Sequence, residues 1–105
     1  MSMVKKSWAD ISADPVSEEA VRALHLPPEN FKVYLNAHAA GKSFPVKAGH
    51  AFVLYVLAGS CKITLAGSEV TLHASEFITL EKGSYTFEAV GNEELRLVKV
   101  FSRSD

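Results

Sequence analysis

Ala51-Phe52-Val53-Leu54-Tyr55-Val56-Leu57-Ala58-Gly59 places eight consecutive apolar residues before a glycine. The run is rich in aromatic and β-branched side chains and lies between Gly49 and Gly59. It reads as a β-strand covered on both faces, and it is far short of the roughly 18–20 residues of a membrane span. Outward from it the pattern has a period of two. Lys32-Val33-Tyr34-Leu35-Asn36-Ala37 alternates, as do Lys62-Ile63-Thr64-Leu65 and Leu95-Arg96-Leu97-Val98-Lys99-Val100-Phe101. Gly41, Gly49, Gly59, Gly67, Gly83 and Gly91 punctuate these segments at steps of 8 or 10 residues, and Ser75 stands where one further glycine would complete the series. Short strands divided by near-regular turn residues predict an all-β domain from Phe31 onward.

Residues 1–30 differ in texture, holding Trp8, three of the four prolines and every Asp except Asp105. Asp14 to Leu24 reads as one short helix. Asp14 or Ser17 can cap its free amides, Pro15 suits the first helical position, and Glu18 and Glu19 stand where the helix dipole favours anions. Val16, Ala20, Ala23 and Leu24 make an apolar stripe that must pack on something, and Pro27-Pro28 stops the helix. The organisation expected is an N-terminal extension over 1–30 and a β domain over 31–105, one domain overall.

Composition narrows the function. With 48% hydrophobic residues in 105 the chain can bury a core, and 11 basic against 12 acidic residues leave no general attraction to nucleic acid or anionic lipid. No apolar stretch follows Lys5-Lys6, so no secretory signal is expected. Cys61 is the single cysteine and fits a reducing, cytoplasmic setting.

Gly41 to Phe101 resembles a small single-domain cupin. Gly59, after Tyr55-Val56-Leu57-Ala58, matches the end of the family's first motif. Gly83, after Phe77-Ile78-Thr79-Leu80-Glu81-Lys82, matches the start of the second, and Ala40-Gly41-Lys42-Ser43-Phe44-Pro45 resembles the approach to the first. The resemblance implies a cupin-type β-barrel or jelly roll, with the short N-terminal helix on its outside. It also implies where a metal would sit. By the family's spacing the two histidines of the first motif fall on Val46 and Ala48, and its glutamate on Phe52. The third histidine falls on Thr86, or on Tyr85 if the turn is one residue shorter. Val, Ala and Phe offer no lone pair to a cation, so neither a metal nor another cofactor is expected.

The remaining candidates are acid–base groups. His50 shares strand parity with Val46, Ala48 and Phe52, which places it near the barrel mouth, where an imidazole can exchange protons near neutral pH. Tyr85 and Glu88 lie on the strand that usually carries the third ligand. His38 shares parity with Tyr34 and Asn36, so it lines either one polar face or a subunit contact. His25 ends the helix, and His73 sits in a turn. The histidines show no metal-binding spacing, and Cys61, in phase with Ile63 and Leu65, reads as a buried small hydrophobe.

The expected function is a metal-free cupin-like module that binds a small, partly apolar molecule or serves as an interaction domain. Val46, Ala48, His50, Phe52, Tyr85 and Thr86 would be its ligand-binding residues. The alternative is a metal-independent enzyme with isomerase- or epimerase-like chemistry on His50, Tyr85 and Glu88. A metalloenzyme with displaced ligands such as His38 and His50 is the remaining option. A homodimer is expected, because the apolar outer faces of the strands call for cover.

Overall fold

The computed structural model describes residues 4–26 and 28–102. Among the described residues nine strands run β1 (Lys6–Ser7), β2 (Phe31–His38), β3 (Ser43–Ala48), β4 (Phe52–Ala58), β5 (Ser60–Leu65), β6 (Ser68–His73), β7 (Glu76–Leu80), β8 (Gly83–Val90) and β9 (Leu95–Ser102). They form two sheets, a five-stranded one in the order β1-β7-β4-β9-β2 and a four-stranded one in the order β3-β8-β5-β6, with every pairing antiparallel.

The expected barrel or jelly roll is not what forms. The two sheets stay open and stack as layers, and among the described residues no ladder joins an edge of one to an edge of the other. The physical reason is visible where β2 and β3 face each other. The His38 ring stacks on Phe44 at a centroid distance of 3.9 Å. Side-chain contact of this kind holds backbones at the spacing of packed sheets, about 10 Å, instead of the roughly 4.8 Å of a hydrogen-bonded ladder.

The two faces of β4 explain its unbroken apolar run. Phe52, Leu54 and Val56 point between the sheets, where they join Cys61, Ile63, Leu72, Ile78, Leu80, Phe87, Ala89, Leu95 and Leu97 in one core. Val53, Tyr55 and Leu57 point outward into a second cluster with Trp8, Val21, Val98 and Val100. The chain's own N-terminal segment supplies that outer cover. Trp8 is buried with its ring edge-on to Tyr55, its indole donates to the Asp14 carbonyl at 2.8 Å, and its backbone N–H donates to the Ser75 carbonyl at 2.8 Å. The apolar outer face is thus partly covered within one chain, while Leu35 of β2 stays exposed on it.

The helix α1 is shorter than predicted, Glu18–Leu24, with Ser17 as its N-cap accepting from the Ala20 N–H at 3.1 Å. The backbone of Asp14 is held ahead of the helix, its carbonyl accepting from the Trp8 indole and its N–H donating to the Ser12 hydroxyl. The helix turns Val21 inward and leaves Ala23 and Leu24 exposed. Its last turn is closed by His25, whose Nδ1 lies 2.9 Å from the Val21 carbonyl oxygen. Pro27, the first of the two prolines expected to stop it, lies outside the described residues.

Two glycine-series positions carry the punctuation. Gly59 has φ +77°, and a Cβ there would lie 2.7 Å from the Glu94 carbonyl oxygen. Ser75, the exception in the series, does adopt the left-handed conformation, with φ 73°. It is held there by its N–H donating to Val56 and its carbonyl accepting from Trp8. No described helix is long and apolar enough to cross a membrane.

Candidate functional site

Val46, Ala48, Phe52 and Tyr85 all reach the space between the sheets and are buried there. Val46 and Tyr85 are direct neighbours across β3 and β8. Phe52 meets Tyr85 edge-on at 6.3 Å and stacks on Phe101 at 5.0 Å. The Tyr85 hydroxyl donates to the Glu81 carbonyl, and burial, then the Glu81 carboxylate, push its phenol above the ordinary value. A neutral phenol committed to a carbonyl and three hydrocarbon side chains do not fit a metal ion. Among the described residues, no group of three or more His, Cys, Asp or Glu could hold one.

The other candidates diverge. Thr86, one residue from Tyr85, faces the opposite side of β8 and is exposed. His50 is exposed on a bend after β3, and none of the hydrogen bonds among described residues involves its ring. Glu88 points away from the core, 3.6 Å from Lys62, which also lies 3.9 Å from Glu69. The acid–base reading needs His50 against a carboxylate or tyrosine inside the mouth, and these three side chains are not brought together. His73 stands at the end of β6 with its Nδ1 2.9 Å from the Ser60 hydroxyl. Cys61 is fully buried, and burial pushes its thiol up to about 12.

A different set of polar groups does converge. Leu95, Leu97 and Phe101 of β9 face the core, and Lys99 shares their phase, so its side chain enters between the sheets. Its ammonium lies 5.9 Å from the centroid of Phe87, on the opposite sheet. Lys99 is half-buried, makes no ion pair or hydrogen bond with a described residue, and is drawn below its ordinary pKa by burial. Across the β2–β9 ladder Tyr34 lies opposite Lys99, Asn36 opposite Leu97 and His38 opposite Leu95, so all three share that inner face. Tyr34 is nevertheless 47% exposed, which shows that solvent reaches the inner face along the β2 edge. The Nε2 of His38 is buried without a hydrogen-bond partner, and burial, then the charges of Lys99 and Lys42, lower its pKa.

The sequence carried the signal for Lys99, since it falls in phase with Leu95, Leu97 and Phe101. That phase was masked because Val98 and Val100 make the other face equally apolar.

No family model matches the chain, and no curated protein matches it. Solved structures do. The cupin domain of an XRE-family transcriptional regulator from Enterobacter cloacae superposes with a TM-score of 0.64 at 14% identity, covering 100% of both chains. A cupin-2 domain protein from Shewanella frigidimarina gives 0.61 at 18% identity, covering 84% of this chain and 94% of that one. The EutQ protein of Clostridium difficile gives 0.62 at 20% identity over 73% of this chain, which spans only 60% of that longer protein. The fold is similar to that of these cupin domains, built here as two open sheets, and among the described residues there is no donor set for a metal centre.

Proposed function

We propose that this protein is a metal-independent cupin-type module that binds a small, partly apolar molecule between its sheets. The observation that carries this reading is Lys99, a cation placed among aromatic side chains at a solvent-reached edge with no partner among the described residues. Ligand sites combine apolar walls with a few polar groups that fix orientation, and this edge has both. Val46, Ala48, Phe52 and Tyr85 supply the apolar floor, with Lys99 and Tyr34 nearer the opening.

The test is a fragment screen followed by amide and methyl shift mapping on labelled protein. Binding is expected to perturb Tyr34, Phe44, Lys99 and Phe101. Shifts confined to the exposed outer residues Leu24, Leu26 and Leu35 would instead make the protein an interaction module and discard the inter-sheet site.

A further inference from the structure

We propose that the open edge between β2 and β3 takes a small organic anion, a monocarboxylate with an aromatic or otherwise apolar body. Its charge would sit on the Lys99 ammonium and its body against Tyr34, Phe44 and Phe101. This inference rests on the small-molecule reading above and narrows it to one chemical class.

The sign of the ligand follows from the charges that face the site. Lys99 enters from β9, and Lys42, just before β3, is close enough for its charge to act on His38. Among the described residues no carboxylate answers them. Glu88 and Glu69 lie on the outer face of their sheet beside Lys62, Glu76 pairs with Lys5 at 3.2 Å, and no charged side chain is buried. Cys61, whose thiol also lies near Lys99, is kept neutral by burial. His38, with its pKa lowered, adds no negative charge either. A half-buried ammonium whose nearest compensation is one aromatic face is under-satisfied. An incoming anion would restore the charge-assisted hydrogen bonding lost on burial.

The body of the ligand follows from the walls. Phe44 contacts His38 on one side and Phe87 on the other, at 3.9 and 5.8 Å between centroids. Tyr34 meets Phe101 edge-on at 5.8 Å. These rings accept an apolar or aromatic group in the stacked and edge-on geometries they already use among themselves. No described arginine faces the site, since Arg22 lies on α1 beside Glu18 and Arg96 points outward beside Glu94. A single ammonium suits a monocarboxylate better than a phosphate dianion, which calls for forked or multiple donors.

Benzoate, benzamide and benzylamine are matched probes that differ in charge, and titration calorimetry with ligand-observed NMR reads their binding. Benzoate is expected to bind at least about tenfold more tightly than benzamide, with benzylamine weakest. Lys99→Met should abolish the preference for benzoate, Lys99→Arg should retain it, and Lys62→Met on the outer face should leave it unchanged. Thermal melts establish that each variant is folded. Equal binding of benzoate and benzamide, or an unaltered preference in folded Lys99→Met, would overturn the anion assignment. Neutral probes that bind between the sheets while benzoate does not would overturn it too, but leave the small-molecule reading standing. If no probe in the fragment screen reaches the inner face, both readings fall.

Discussion

Cys61 and Lys99 titrate in the same alkaline range with opposite consequences for stability. The Cys61 thiol is raised from its ordinary value of 9.0 to about 12, so above pH 9 the unfolded chain releases a proton that the folded chain retains. Stability from this group is complete below pH 9 and is lost as pH rises toward 12. Lys99 is lowered from 10.5, so just below that value the unfolded chain binds the extra proton and stability rises with pH. Cys61→Ala should cost about 1–2 kcal/mol near neutrality, because it removes a buried side chain. It should also lose less stability than the parent between pH 9 and 10.5. Urea denaturation at several pH values measures both, and parallel stability curves for parent and variant would reject the linkage. At this scale the sequence was legible where one phase alone was apolar: Cys61 in phase with Ile63 and Leu65 read as buried. The burial of Lys99 was not legible, because both phases of β9 are apolar and a period of two does not say which of the two faces turns inward.

Turns and caps set the geometry of the elements, and here the glycine series acquires its physical content. Gly59 combines a positive φ with a close approach to the Glu94 carbonyl, so Gly59→Ala forces backbone to move and should cost at least about 2 kcal/mol. Ser75 has the conformation of a glycine without being one, and Ser75→Gly should be neutral or stabilising by up to about 1 kcal/mol. Chemical denaturation of the two variants side by side provides the check, and a reversed order of stabilities would contradict the account. The positions of these turns were readable from spacing alone. The start of α1 was not, because Asp14 and Ser17 are equally good caps in sequence. The structure uses Ser17, whose hydroxyl accepts from Ala20, while the backbone of Asp14 is tied to Trp8 and Ser12 ahead of the helix. Closure of the sheets was equally illegible, since it depends on whether distant edge strands meet through backbone or through rings such as those of His38 and Phe44.

Across the whole molecule, the N-terminal segment is fastened to the five-stranded sheet through Trp8. Trp8→Ala removes the ring against Tyr55, the bond to Asp14 and much of the outer cluster, and should destabilise the protein by about 3 kcal/mol. Limited proteolysis should then cut between β1 and α1 well before the sheets unfold. Equal resistance in parent and variant would show that the segment is held by other contacts. The order of strands in the five-stranded sheet has a consequence for how the protein is made. β9 lies between β4 and β2 and follows both in sequence, pairing with β2 from Phe31↔Ser102 to His38↔Leu95. A chain emerging from the ribosome therefore presents β4 with one ladder edge empty and β2 with no ladder partner until the last strand arrives. Long-range pairing of this kind makes folding slow and leaves strand edges open to other chains meanwhile. Nascent-chain stalling before residue 95 should give a species held soluble by chaperones, and translation through β9 should release it.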